Sequence, residues 1–249
     1  MFKVEADGLA AQLAALTDLE KKQLPFATAL TLTRTAEKVE QRLVGEMRTV
    51  FDRPTSWTLN SLRVFPATKQ KLVARVWMKN EADKSSPATK WLSPEIYGGP
   101  RQDKRSEAML RQRGILPANK YIVPGAGAQL DQFGNLKRGQ ITKVLSGIGG
   151  FTQQGYTANA SGSRRSRAKG NARRYFVMYD SQRQPIGIAE RTGRGPNSRA
   201  KLRIIMAFVS KPSYSKAFNF FSIAEREAEA QLPVQWRLAL AQALSTARR

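Results

Sequence analysis

The 249-residue chain carries 42 Lys and Arg against 19 Asp and Glu, a formal net charge of +23, and it has neither Cys nor His. The missing thiols and imidazoles exclude disulfides, zinc sites built from Cys and His, and catalytic triads that need a histidine base. The large positive charge favours polyanionic partners, meaning nucleic acid, an anionic membrane or an acidic protein.

A long amphipathic helix is predicted from Leu24 to Phe51. Apolar residues recur there at spacings of three or four, the period of a helix with one buried face. These residues are Ala29, Leu32, Ala36, Val39, Leu43, Met47 and Val50. Pro25 suits the first turn of a helix and Pro54 follows the end of the pattern. We expect the apolar residues further along the chain to pack against this helix.

Five strands are predicted on either side of a long central stretch. Two of them, Leu62–Ala67 and Lys71–Asn80, are separated by a link short enough to predict a hairpin. Alternating side chains predict three more, at Arg174–Tyr179, Gln184–Arg191 and Lys201–Ser210. The last of these is apolar on both faces, which is typical of a central strand.

The central stretch, residues 81–171, is rich in Pro, Gly, Ser and charged residues. It contains two short helical patterns, near Arg105–Arg113 and Gly139–Ile148. A structureless loop of this length is rare inside a domain, so we interpret the stretch as an insertion with some structure of its own.

A final helix is predicted to start near Ser222, which has capping-box spacing to Glu225. Pro233 is expected to kink or divide this helix. Its predicted buried stripe consists of Ile223, Ala230, Val234, Leu238, Ala241 and Leu244. We expect these side chains to pack in the same core as the long first helix.

The order of elements predicts an α+β fold. We expect an antiparallel sheet of about five strands, packed by a long N-terminal helix and a C-terminal helix, with a large loop-rich insertion. In this scheme residues 1–80 supply the N-terminal helices and first hairpin of the core. Residues 81–171 form the insertion and its basic tract, and residues 172–249 add the remaining strands and the C-terminal helix.

No motif for catalysis or cofactor binding is recognised in the sequence. The glycine-rich run from Gly125 to Gly139 matches neither phosphate-loop pattern, and we expect a surface loop there. The acidic residues of the insertion are scattered among Lys and Arg, and we interpret them as solvated surface charge. They include Asp83, Glu95, Asp103, Glu107 and Asp131. The chain is therefore predicted not to be an enzyme and to have no catalytic, cofactor-binding or metal-binding residues.

The strongest charge feature is the basic tract SGSRRSRAKGNARR, residues 161–174. Its candidate contact residues are Arg164, Arg165, Arg167, Lys169, Arg173 and Arg174. Six more basic residues follow, namely Arg183, Arg191, Arg194, Arg199, Lys201 and Arg203, with only Asp180 and Glu190 opposing them. Gly and Ser allow the arginines to reach phosphates without a fixed register, and the scarcity of aromatic residues argues against base stacking. Phosphate contact, pairing with an acidic neighbouring subunit and a solvated loop all remain open.

Several phrases of the sequence resemble one known family. In chain order they include LPFATALTLTRTA, VFDRPT, WTLNSLRVFPATK, ARVWMKN, YGGPRQDKRSEAMLR, GILP, VPGAGAQLDQFGN, RYFVMYD and GIAERTG. Together they resemble the minor tail protein Z-like, or tail-completion, family of tailed bacteriophages. The resemblance spans most of the chain, roughly Leu24 to Leu244.

The resemblance implies a structural virion protein at the head–tail junction, or neck, where it completes the tail so that the tail can join a filled head. Implied partners are further copies of the chain in a homo-oligomeric ring, the neighbouring connector, tail-terminator or tail-tube proteins, and the end of the packaged double-stranded DNA. We expect no membrane partner, because no run approaches the roughly 18 apolar residues of a membrane span. The expected location is the virion neck or tail, after synthesis in the host cytoplasm. An alternative is a nucleic-acid-binding accessory protein for DNA packaging or assembly that has no place in the virion.

Overall fold

A computed structural model of the chain describes residues 19–80, 87–150, 163–165, 174–192 and 201–247. The α+β fold class is confirmed, with a long N-terminal helix, a long C-terminal helix and antiparallel strand pairing. In the described part of the chain the helices are α1, Leu24–Val50; α2, Ser56–Leu59; α3, Ala88–Tyr97; α4, Arg105–Gln112; α5, Arg138–Gly147; and α6, Phe220–Ala247. A π-helical turn at Leu19–Gln23 precedes α1.

The strands form three antiparallel sheets. Within the described residues they are β1, Leu62–Phe65; β2, Arg75–Met78; β3, Gly99–Pro100; β4, Lys120–Pro124; β5, Tyr175–Tyr179; β6, Pro185–Thr192; β7, Lys201–Ser210; and β8, Ser213–Tyr214. One sheet has the strand order β4-β7-β6-β5, while β1 pairs only with β2 and β3 only with β8. The predicted central strand is confirmed, because β7 pairs with both β4 and β6.

All five predicted strands are present, but they do not form one sheet. The first two make the separate hairpin β1–β2, and the last three join β4, which lies within the predicted insertion. The two helical patterns of the insertion are confirmed as α4 and α5. Sequence patterning missed α3 and β4, because Pro94 interrupts the first pattern and the second has only five residues.

The described residues form two compact units. The helical unit contains those within residues 1–83, 87–89 and 217–249; the sheet unit contains those within 84–86 and 90–216. These bounds differ from the predicted segments 1–80, 81–171 and 172–249. The three strands from Tyr175 to Ser210 belong with the insertion rather than with the terminal helices.

The sheet unit has an apolar core between its four-stranded sheet and the helices α4 and α5. Its buried members are Leu110, Leu116, Ile122, Val144, Leu145, Tyr175, Ile188, Ile205, Met206 and Phe208. Half of these side chains come from the insertion and half from β5, β6 and β7. This shared burial explains why the insertion and the later strands form one unit, since apolar area removed from water stabilises the elements that share it.

In the helical unit, α1 packs along α6. Leu43 and Met47 of α1 are fully buried, which confirms the predicted stripe on this helix. At one end, Ala27 packs with Ala239 and Ala243, whose small side chains let the two helix backbones approach closely.

The stripe predicted for α6 is wrong over most of its length. Val234, Leu238 and Leu244 are 39%, 55% and 44% exposed, whereas Ala239 and Ala243 are buried. Alanine and leucine occur around the whole circumference of this helix, so its periodicity does not identify the buried side. Pro233 lies inside α6, which continues on both sides of it as one helix.

Candidate polyanion-binding surface

The two units differ greatly in charge. The sequence of the sheet unit contains 25 Lys and Arg against 6 Asp and Glu, a net charge of +19. The sequence of the helical unit contains 17 against 13, a net charge of +4. Nearly all of the excess positive charge therefore belongs to the sheet unit, which is the candidate surface for a polyanion.

Four exposed cations lie at one end of the four-stranded sheet, and we call them the sheet-end cluster: Arg174, Arg191, Lys201 and Arg203. The backbone N–H of Arg191 donates to the carbonyl oxygen of Arg174 at 2.8 Å. In the register of β6 and β7, Thr192 is opposite Lys201 and Glu190 is opposite Arg203. Lys201 and Arg203 are two residues apart on β7 and share one face of the sheet, whereas Arg191 is opposite Leu202 and points to the other face. The cluster therefore presents positive charge on both faces at the same end of the sheet.

Local contacts hold two of these side chains. The Arg191 guanidinium lies 5.0 Å from the centroid of the Phe176 ring, a cation–π arrangement. The Arg174 Nε donates to Glu190 Oε1 at 2.5 Å, and this bond raises the pKa of Arg174 above its already high usual value. Burial, together with the charge of Glu190, raises the pKa of the Tyr175 phenol.

The four cations are therefore not equivalent toward an anion. Arg174 is already paired with Glu190, and a phosphate would have to compete with that carboxylate. Arg191, Lys201 and Arg203 form no ion pair with any residue in the described part of the chain. An arginine fork can bind a phosphate through two parallel hydrogen bonds, and lysine adds a point charge.

The predicted contact residues fall into three groups. Arg174 is part of the sheet-end cluster. Arg164 and Arg165 are exposed in a helical turn of the sheet unit. The other three, Arg167, Lys169 and Arg173, lie outside the described residues.

The location of Arg191, Lys201 and Arg203 at the same end of the sheet as Arg174 could not be identified from the sequence. All three belong to the basic residues that follow the tract in the sequence, but their proximity depends on strand register. The register of β6 against β7 shifts between Ile188 and Ala189, which changes the alignment of every later residue.

The glycine-rich run forms a loop, as expected, and part of it lies beside β7. Asp131 accepts hydrogen bonds from the backbone N–H groups of Phe133 and Asn135, which closes a turn. A Cβ on Gly127 would stand 2.6 Å from the Cβ of Arg203. Glycine at this position therefore permits a close approach of the loop to the strand that carries Arg203.

A buried carboxylate supports the sheet unit at another place. Glu107 in α4 is fully buried and accepts hydrogen bonds from the Arg101 guanidinium at 2.6 and 2.7 Å. The backbone N–H groups of Ile122 and Lys104 also donate to it, each at 2.7 Å. Burial alone would raise the pKa of Glu107, but the hydrogen bonds from Arg101, Ile122 and Lys104 outweigh it and the pKa is lowered. The expectation of solvated surface charge is wrong for this residue.

A depression of about 300 Å³ lies near this network, lined in part by Trp91, Lys104 and Tyr214. Glu95 also lines it, and burial raises the pKa of that carboxyl group. Aromatic surface and charges of both signs meet here, so the depression favours no single class of ligand.

Among the described residues, no group of three or more acidic, Cys or His side chains is arranged to bind a metal ion. Within the same part of the chain, no helix has both the length and the apolar character needed to cross a bilayer. Comparisons with protein-family models, with curated proteins and with solved structures find no match.

Proposed function

We propose that this chain is a structural protein of a tailed-bacteriophage virion, acting at the head–tail junction as a minor tail or tail-completion protein. The proposal begins from the ordered phrases that resemble that family. The observation that best supports it is the separation of charge, +19 in the sheet unit and +4 in the helical unit. A protein that assembles around a DNA channel needs one surface for a polyanion and another on which identical copies do not repel each other.

In this proposal the sheet-end cluster and the basic tract bind the phosphates of packaged double-stranded DNA. Such contacts are independent of sequence, because they are made to the backbone rather than to base edges. Each duplex phosphate that is neutralised contributes about 0.9 to the slope of log K against log salt. The helical unit supplies contacts between copies in a homo-oligomeric ring. Connector, tail-terminator or tail-tube proteins are the proposed neighbours of that ring.

Binding of duplex DNA at several salt concentrations tests the polyanion surface. We expect the combined replacement of Arg191, Lys201 and Arg203 by Ser to reduce the magnitude of the slope by about 2.7, three contacts at about 0.9 each. The matched control replaces Lys38, Arg48 and Lys71, exposed cations of the helical unit, by Ser and removes the same charge from that unit. An equal reduction in the control would mean that only total charge matters. An unchanged slope in the sheet-unit variant would instead indicate an acidic protein partner.

The basic tract has its own variant, in which Arg164, Arg165 and Arg167 are replaced by Ser. If these residues contact duplex phosphates, the salt dependence of binding becomes shallower by a similar amount. An unchanged slope would exclude them from the DNA contact and leave the sheet-end cluster as the binding surface.

Protein composition of purified virions tests the proposed location. We expect peptides of this chain in mature particles and a label on the chain at the neck in electron micrographs. Absence from mature particles, with DNA binding retained, would favour the alternative, a nucleic-acid-binding accessory protein for packaging or assembly. The observation that favours this second candidate is the cation–π support of Arg191, which holds a phosphate-binding group in position without any partner copy.

A further inference from the structure

The helical unit has an apolar surface that its own fold leaves exposed. Val234 and Leu238 are 39% and 55% exposed, and Ala241 is exposed beside them. Their spacing of four and then three residues places them on one side of α6. We call these three residues the α6 stripe. It lies on a different side of the helix from Ala239 and Ala243, which face α1. A helix that is apolar on two sides buries the second side against another surface.

The same unit also contains an apolar groove of about 460 Å³. Its lining includes Leu32, Val39, Val76, Phe220, Ala228 and Leu232, contributed by α1, β2 and α6. Glu225 and Glu229 are the two charged residues that line it. The groove is therefore an apolar trough with a negative rim, and its volume suits a few aliphatic side chains of a docked helix.

The charge beside the α6 stripe is opposite to the charge on the groove. Arg237 is exposed and directly precedes Leu238, and it stands one helical turn before Ala241. A helix that inserts its stripe into the groove would thus bring Arg237 toward the acidic rim. The low net charge of the helical unit also favours contact between copies there, because two sheet units, each with +19, would repel each other.

We infer that the α6 stripe of one copy docks into the groove of a second copy of this chain. The two surfaces are different patches, so the contact is heterologous, and repeated heterologous contacts generate a closed ring or an open filament. This inference deepens the ring-forming part of the proposed function and rests on it for ring closure. Association of two copies through these surfaces stands independently of any role in the virion.

Sedimentation of the purified full chain over a concentration series measures the association. Leu238→Glu places a charge in the apolar contact, and we expect it to raise the dissociation constant about 30-fold or more. The matched control is Leu202→Glu, because Leu202 is a leucine of β7 with 58% exposure in the other unit. A wild-type chain that remains monomeric, or a Leu238→Glu variant that associates like wild type, would overturn the inference.

A charge exchange distinguishes stripe-to-groove contact from contact between two stripes. Arg237→Glu and Glu229→Arg each place like charges together, so we expect either variant alone to associate more weakly than wild type. Mixing the two variants restores opposite charges at every contact, and association should recover. If Glu229→Arg has no effect, or if the mixture does not recover, the groove is not the docking surface and the inference fails.

The association experiments and the virion experiment test the inference and the proposed function separately. Recovery in the mixture together with absence from virions would retain the inference and reject the virion role. Presence of the chain in virions, without recovery of association in the mixture, would retain the virion role and reject the inference. All substituted side chains are exposed, so circular dichroism should show the same helix content in each variant and exclude unfolding as the cause.

Discussion

Different interactions stabilise the helical unit and the sheet unit. In the helical unit, Leu43 and Met47 of α1 are fully buried, and the small side chains of Ala27 and Ala239 pack between the two long helices. The unit has almost balanced charge, and its ion pairs Arg42–Glu46 and Arg53–Asp52 lie at the surface. The sheet unit instead combines its apolar core with a buried ion pair, Arg101–Glu107, while carrying a net charge of +19. Like charges in the sheet unit oppose its folding, so its structure should depend on pH and salt more than that of the helical unit.

The two units also differ in the kind of partner that their surfaces favour. An excess of positive charge suits a polyanion, whereas a nearly neutral surface with exposed apolar groups suits contact between copies. We propose that the division of the chain into two units lets one protein present both kinds of surface.

The largest effect is expected from Glu107→Gln. Glutamine has nearly the same shape but carries no charge, so the buried Arg101 guanidinium loses its counterion. Breaking a buried ion pair by removing one partner typically costs about 3–5 kcal/mol in the free energy of unfolding. Chemical denaturation measures this loss, and hydrogen exchange of β4 and α4 assigns it to the sheet unit.

The control for this variant is Glu46→Gln, which removes one partner of the surface pair with Arg42 in the helical unit. Such a pair between residues four apart on a helix contributes about 0.3–0.5 kcal/mol. Equal losses in the two variants would contradict the view that the buried pair matters more than the surface pair.

The next effect is expected from Leu43→Ala in α1. Leu43 is fully buried, and truncating a buried leucine leaves a cavity as well as losing transfer free energy, so we expect a loss of about 3 kcal/mol. Leu238→Ala, on the exposed side of α6, should change the stability of the monomer by less than about 0.5 kcal/mol. Denaturation at low protein concentration, where copies do not associate, provides the measurement. A large loss from Leu238→Ala would mean that its side chain supports the fold of the single chain.

These two positions show how much of the fold the sequence could predict. Helix α1 was predictable because its 27 residues repeat the helical period many times and a proline lies at the start. The strands β5, β6 and β7 were predictable from alternation, and β7 as a central strand from its two apolar faces. In α6 the existence of the helix was predictable, but its buried side was not, because alanines and leucines surround it.

Long-range packing accounts for what the sequence could not predict. The assignment of the insertion to the sheet unit depends on one buried core that includes Leu110, Val144 and Ile188, residues far apart in the chain. The burial of Glu107 left no pattern in the sequence, because Lys104, three residues before it at the start of α4, is not a usual capping residue. Of the sheet-end cluster, Arg174 is among the contact residues predicted from the sequence, and the location of the other three members depends on the register of β6 and β7.

A fall in pH should destabilise the sheet unit more than the helical unit. The pKa of Glu107 is lower in the folded chain than its usual value, because Arg101 and two backbone N–H groups stabilise the carboxylate. A lowered folded pKa adds stability above the unfolded value, about 4.3 for glutamate, and this stability is lost as the pH falls toward the folded pKa. The pKa of Asp103 is also lowered, chiefly by its hydrogen bond with Arg111, so this carboxylate acts in the same direction.

Hydrogen exchange from pH 7 down to pH 3 measures this difference. We expect protection of β4 and α4 to fall before protection of α1. In Glu107→Gln the fall with pH should be shallower than in wild type, because the titrating carboxyl group is gone. Equal loss of protection in the two units would contradict a pH dependence that resides in the sheet unit.

The smallest expected effect is a difference between two arginines of the sheet unit, Arg174 and Arg191. Both guanidinium groups lie at the same end of the sheet, but Arg174 is bonded to Glu190 while Arg191 stacks on Phe176. If a duplex phosphate binds the cation that has no carboxylate partner, Arg191→Ser should reduce the magnitude of the salt slope by about 0.9. Arg174→Ser should reduce it by less, because that charge is already neutralised and its loss frees Glu190 to repel the phosphate.

Equal changes in slope would mean that the bound DNA displaces Glu190 from Arg174. In that case the buried carboxylate would act as an exchangeable counterion within the binding surface, and affinity would decrease in both variants while the slopes remained alike.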